Sequence, residues 1–157
     1  MIDAPTLLET PAQSLAVIHV TVPRAQIREV MGPGIQELLA AVTEQGAGPT
    51  APWYTHHLRI DPEVFDFEIC VPVRAPVRPT GRVRPGERPA LKVARALYRG
   101  PYEGLGSAWE TFDDWIVAQG LIPGADLWER YLVGPESGEG PAQSCTELER
   151  TYAPRPA

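Results

Sequence analysis

The stretch Ile35–Gly46 reads IQELLAAVTEQG, and 74 residues further on Trp109–Gly120 reads WETFDDWIVAQG. In the first, Ile35, Leu38, Leu39 and Val42 recur at i, i+3, i+4 and i+7, the spacing of one helical face. In the second, Trp109, Phe112 and Ile116 take the matching places, with Leu105 one turn earlier. Each run closes on Gln-Gly, and glycine supplies the left-handed position that stops a helix. One helix with one stop signal, written twice, predicts a duplicated unit folded as two pseudo-symmetric lobes with a natural ligand site at their seam.

The flanks repeat as well. Leu15–Val22 (LAVIHVTV) is rich in β-branched residues and reads as a strand. A helix is predicted over 34–45, and then Trp53–Ile60 and Val64–Val73, joined by the turn at Asp61-Pro62, read as a hairpin. In the second copy Ala90–Arg99 (ALKVARALYR) reads as a strand before Gly100-Pro101, followed by a helix over 104–119 and a turn at Ile122-Pro123-Gly124. Leu127–Val133 is a strand, 134–143 a Gly/Pro-rich loop, and Cys145–Tyr152 the closing strand. Each half is β-α-β-β. Between them Arg74–Pro89 holds four prolines and five arginines. Proline excludes a central strand, so this is read as a solvated connection with a short edge strand near Gly81–Arg84. The expected class is α+β: duplicated β-α-β-β units, one antiparallel sheet, two helices on one face. Residues 1–157 are read as a single domain, with repeat 1 over about 14–73, the connection over 74–89 and repeat 2 over about 90–154.

A chain of 157 residues can bury roughly 70% of its unfolded surface and needs no metal or disulfide staple. The net charge of −6 argues against a general binder of nucleic acid or anionic membranes and favours cations. No apolar run approaches the ~20 residues that span a bilayer. Met1–Gln13 carries Asp3 and Glu9 without a basic region ahead of an apolar run, so no secretory signal is read and a cytoplasmic location is expected. Cys70 and Cys145 stand in isolated strand contexts and are read as reduced thiols. Adjacent His56 and His57 point to opposite faces of a strand, and neither Cys nor carboxylate completes a ligand spacing, so neither metal nor cofactor is expected. Ser14, Ser107, Ser137 and Ser144 lack a nucleophile-elbow context. Gly32-Pro33-Gly34 lacks the Lys-Ser/Thr of a phosphate-binding loop.

Gly100-Pro101-Tyr102-Glu103-Gly104-Leu105, Ala108-Trp109, Trp115, Gly120, Pro123, Trp128-Glu129-Arg130-Tyr131-Leu132 and Thr146-Glu147-Leu148 form a series. This series resembles the GyrI-like small-molecule-binding family, the effector-binding fold that also occurs fused to DNA-binding segments in AraC-type and MerR-type regulators. The resemblance covers nearly the whole chain and is strongest over 89–148. It implies two β-α-β-β units and a pocket at the pseudo-twofold seam, whose position-matched glutamate is Glu129. The tail from Glu149 to Pro154 is longer than the family's usual last strand. No helix-turn-helix is read ahead of Leu15, so direct DNA binding is not expected.

Residues two apart on a strand share a face. Glu129 and Tyr131 therefore point together, as do Glu147 and Glu149. A pairing shifted by one residue sets Tyr54 and His56 as the first copy's equivalents of Glu129 and Tyr131. Phe67 and Glu68 remain alternatives for one face, because the phase of their strand is open. Trp109 is read first as core and, with four tryptophans in the chain, also as part of a ligand wall. The expected ligand set is Glu129, Tyr131, Tyr54, His56, Glu147, Phe67 and Trp109. Carboxylate and rings together suit a hydrophobic, multi-ring, cationic molecule, bound for sequestration or sensing. Affinity for a cation is expected to rise with pH as the glutamate ionises.

Some stand-alone family members resemble hydrolases that open the strained cyclopropane of DNA-alkylating natural products. In that alternative Glu129, or else Glu147, is the general base, and Tyr131 donates a hydrogen bond to the conjugated carbonyl. The family's gyrase-inhibitor namesake offers a third class, a protein–protein modulator, for which no specific surface is read.

Overall fold

The structure is a computed structural model that describes residues 2–133 and 144–156. Its strands are β1 (Thr6–Thr10), β2 (Gln13–Pro23), β3 (Tyr54–Ile60), β4 (Val64–Pro72), β5 (Arg84–Arg88), β6 (Leu91–Arg99), β7 (Leu121–Val133) and β8 (Cys145–Pro154). Its helices are α1 (Ile27–Glu44) and α2 (Leu105–Ala118), each preceded by a 3-10 turn, Arg24–Gln26 and Tyr102–Gly104. The class is α+β and the β-α-β-β plan occurs twice. The chain divides into two compact units, residues 11–90 and residues 1–10 with 91–157.

In the 11–90 unit the antiparallel sheet runs β3-β4-β2-β5. One face carries Ala16, Ile18 and Val20 of β2 and Phe67, Ile69 and Val71 of β4, packed against Leu38, Ala41 and Val42 of α1. The alternation Ile18-His19-Val20-Thr21 in β2 reflects this, because burying one face selects every second residue, whereas Leu15 and Val17 are buried on the other face. Helix α1 begins seven residues before its predicted start and runs through Pro33. Ile27, Val30 and Met31, packed on the core from that extra length, offset the hydrogen bond that Pro33 cannot make. Gly46 ends the helix at φ +66°. Its N–H donates to the Thr43 carbonyl and the Ala47 N–H to that of Val42, the paired bonds of a Schellman stop.

The connection is more ordered than its prolines suggest. Its strand β5 lies a few residues beyond the expected place, and Pro85 sits within it, tolerated because β5 pairs on one side only, with β2. Val77 and Val83 are buried in the α1 core. Arg74 donates to the Gly46 carbonyl and Arg82 pairs with Glu37 at 2.9 Å. The segment is therefore a strap pinned at Val77, Val83 and Arg88, with most of its other residues solvated as expected.

In the other unit the sheet runs β1-β6-β8-β7. Ala94, Ala96, Tyr98 and Leu148 meet Ala108, Phe112 and Ile116 of α2. The stripe that predicted α2 is thus the buried one. Strand β7 starts six residues earlier than expected and absorbs the anticipated Ile122-Pro123-Gly124 turn as an irregularity in its pairing with β8 between Pro123 and Leu127. A side chain at Gly124 would stand 2.1 Å from the Thr151 hydroxyl, so the bend and the glycine belong together. The predicted 134–143 loop lies outside the described residues.

Candidate functional site

Register decides which side chains share the α2 side of the 91–157 sheet. Ala96, Leu148 and Glu129 form one cross-strand row, and Tyr98, Thr146 and Tyr131 the next. Ala96, Leu148 and Tyr98 pack on α2, so Glu129 and Tyr131 point the same way. Glu129 is only 8% exposed. Its Oε1 accepts the Tyr131 hydroxyl proton at 2.6 Å, and its Oε2 accepts the Trp109 indole N–H at 2.8 Å. The Tyr102 ring stands edge-on to Tyr131 at 5.8 Å, and Trp109 continues onto Phe112 at 5.7 Å. A buried carboxylate thus accepts bonds from the Tyr131 hydroxyl and the Trp109 indole within a set of aromatic rings.

The Gly-Pro-Tyr-Glu-Gly turn sets this geometry. The Tyr98 hydroxyl donates to the Pro101 carbonyl at 2.7 Å. Side chains at Gly100 and Gly104 would come to 2.7 and 2.1 Å of that hydroxyl. The two glycines let the turn close on Tyr98, which places Tyr102 beside Tyr131 and starts α2 where Trp109 reaches Glu129. On α2, Asp113 accepts two bonds from Arg150, at 3.0 and 2.8 Å. Burial nevertheless pushes its carboxyl above the ordinary range, against the opposing pull of Arg150. The flank of α2 beside its apolar stripe is therefore tied to β8 through Asp113.

Glu147 does not join Glu129. It shares a row with Leu97 and Arg130 on the other sheet face. There it pairs with Arg130 and, at 3.5 Å, with Arg95. Glu149 pairs with Arg95 on the same face. Strand alternation puts both carboxylates one residue out of step with Leu148, the partner of Glu129.

In the 11–90 unit Tyr54 and His56 likewise lie on the face away from α1. Tyr54 is fully buried, with its hydroxyl donating to Gln13 at 3.3 Å, and His56 meets Glu68 at 3.4 Å. The α1 side of β3 presents Thr55 and His57, which bond to each other at 3.2 Å. His57 lies against Phe67 at 5.6 Å and Phe65 at 6.2 Å. The open phase of β4 is decided: Phe67 faces α1 as buried core, and Glu68 faces away. Keeping the 74-residue offset of the helices would have found this, since it sets Thr55 on Glu129 and His57 on Tyr131. Tyr102 was within the quoted motif but not singled out; its contact with Tyr131 depends on a fold-back that spacing does not reveal. Among the described residues no three His, Cys, Asp or Glu side chains group to hold a metal ion. Burial drives the Cys70 thiol far above its ordinary range. No helix among the described residues is long and apolar enough to cross a membrane.

Among solved structures, the chain superimposes on the C-terminal domain of EcmrR with a TM-score of 0.81 at 19% identity, covering 96% of this chain and 98% of that one. Against EcmrR in a DNA complex the TM-score is 0.84 at 21% identity, with 96% of this chain covered; the chain spans 57% of that longer one. A hydrolase from Listeria innocua aligns at 0.71 and 13% identity over 95% of this chain and 91% of that one. SAV2435 bound to tetraphenylphosphonium aligns at 0.65 and 15% identity over 96% and 94%. At these identities the likeness is one of fold. A search of curated protein sequences finds no match. Residues 3–148 match the sequence profile of the GyrI-like small molecule binding domain, and together with the twofold β-α-β-β plan this establishes that the chain belongs to that family.

Proposed function

We propose that this domain binds hydrophobic, cationic, multi-ring small molecules and that Glu129 is the charge that selects them. The carrying observation is the buried Glu129 carboxylate, hydrogen-bonded by Trp109 and Tyr131 with Tyr102 beside them. An anion in such surroundings attracts a cation far more strongly than one in water does. Aromatic faces add ~0.5–2 kcal/mol for each well-placed ring. The tetraphenylphosphonium carried by SAV2435, a protein of the same fold, supports this ligand class. With few directional contacts and much ring surface, selectivity should be broad. Titration of the intrinsic tryptophan fluorescence with tetraphenylphosphonium tests the reading. Wild-type protein should bind at micromolar concentration, and Glu129→Gln should weaken binding by about tenfold or more, the scale of ~1.4 kcal/mol. Equal affinity in the two proteins would remove Glu129 from the site.

A second reading, hydrolysis of a cyclopropane conjugated to a carbonyl, draws on the 2.6 Å contact between the Tyr131 hydroxyl and Glu129. Water would attack a ring carbon and give its proton to Glu129. The broken C–C bond's electron pair would move onto the carbonyl oxygen, which takes the Tyr131 proton. Glu129 would then return its proton to Tyr131. General acid and base of this kind typically supply 10²–10⁴-fold each. Product analysis by chromatography separates the two readings. Hydrolysis requires turnover that Glu129→Gln abolishes while ligand affinity survives, and no turnover by the wild type leaves binding alone.

A further inference from the structure

One polar group on the same sheet face is not accounted for by the fold. Thr146 is fully buried, and its Oγ1 has no hydrogen-bond partner among the described residues. It stands between Tyr98 and Tyr131 in their cross-strand row, two residues from Leu148, which faces Glu129. The adjoining hydroxyls are committed elsewhere, Tyr98 to the Pro101 carbonyl and Tyr131 to Glu129. Burying an unmade O–H lowers stability, and valine would fill nearly the same volume without that cost. Buried donors left without acceptors are rare, more so than spare lone pairs on acceptors. A threonine at this position is therefore better suited to a bound molecule than to the folded chain alone.

We propose that Thr146 is a ligand-binding residue whose hydroxyl donates a hydrogen bond to a carbonyl oxygen of the molecule held at Glu129. This rests on the small-molecule reading above and narrows it. Diagonal neighbours on paired antiparallel strands stand roughly 7–8 Å apart, so Glu129 and Thr146 are separated by about the span of a fused-ring system. The preferred ligand carries its positive charge at one end of the rings and a carbonyl at the other. Reaching Thr146 requires a ring to move. Tyr131, its row neighbour, is only partly buried. Turning that side chain aside would also take its hydroxyl from Glu129 and turn the carboxylate towards the incoming cation.

The test compares two cationic probes in wild type, Thr146→Val and Glu129→Gln. Tetraphenylphosphonium has no hydrogen-bonding group, whereas an aminoalkyl anthraquinone carries carbonyls on its rings. Thr146→Val should bind tetraphenylphosphonium as the wild type does, bind the anthraquinone about five- to tenfold more weakly, and melt at a higher temperature. Unchanged affinity for both probes, or equal loss for both, overturns the role of Thr146. If Glu129→Gln still weakens both probes in that case, the Glu129 reading stands alone. Binding of neither probe by the wild type overturns both readings together.

Discussion

Glu129 and Tyr131 in one unit, and Thr55 and His57 in the other, occupy equivalent places on helix-facing strands. In each pair the side chains two residues apart are hydrogen-bonded. One pair carries a carboxylate and the other does not, and this difference gives the proposed site its charge. The pair Glu129–Tyr131 was legible because parity on a single strand needs no partner. Tyr54 and His56 were misplaced because a slip of one residue turns every side chain to the opposite face. On the outward face Asp66 is surrounded: His19 Nε2 lies 2.5 Å from Oδ1, Thr21 donates to Oδ1 at 3.1 Å, and Arg59 to Oδ2 at 2.9 Å. These partners, His19 foremost, hold its carboxyl below the ordinary 3.8. A lowered folded-state value contributes stability that is present above the unfolded value and lost as pH falls through the folded one. The stability advantage of wild type over Asp66→Asn should hold at pH 5 and shrink as pH falls below about 4. Urea unfolding at stepped pH reads this, and a gap that widens on acidification would contradict the assignment.

The helix ends were the most legible elements. Gly46 at φ +66° and Gly120 at φ +78° sit where the two Gln-Gly signals placed them. A Cβ at Gly46 would meet nothing within 4 Å, so Gly46→Ala should cost only backbone strain, about 1 kcal/mol. That corresponds to a fall in Tm of roughly 2–4 °C for a chain of this size. Gly104→Ala is a different case, because its backbone is ordinary at φ −87° but its Cβ would lie 2.1 Å from the Tyr98 hydroxyl. Tyr98 is buried and bonded to Pro101, so the clash and the lost bond together should cost roughly 2–3 kcal/mol. Adding Tyr98→Phe to Gly104→Ala should recover part of the loss in thermal melts. A double variant less stable than the sum of the two single changes would show that the turn closes on something else. The start of α1 was not legible, since Pro33 and two glycines argue locally against a helix that its tertiary contacts sustain.

Across the whole molecule, the repeat proves longer than its sequence signal. Strand β1, ahead of the first copy, pairs with β6 of the second, and β5, ahead of the second copy, pairs with β2 of the first. The two pairings share a register: Thr10 meets Leu91 as Arg88 meets Gln13. The duplicated element is therefore β-β-α-β-β, with its leading strand exchanged between copies. Deleting residues 1–10 should cost alternate β6 amides their hydrogen-exchange protection, because β8 still pairs the other edge, while β2 amides keep theirs. Equal loss in β2 would show that the leading segment supports both units.

The two helical stripes, their glycine stops, the α+β class and the shared face of Glu129 and Tyr131 could all be read from the chain before any pairing was known. Each of these depends on local periodicity or backbone conformation. Folding alone put Glu147 on the face away from Glu129, set Thr55 and His57 in the helix-facing places expected for Tyr54 and His56, and paired β1 and β5 each with the other copy's first strand. Those outcomes depend on which strands pair and in what register, and pairing is settled by burial between segments distant in the chain.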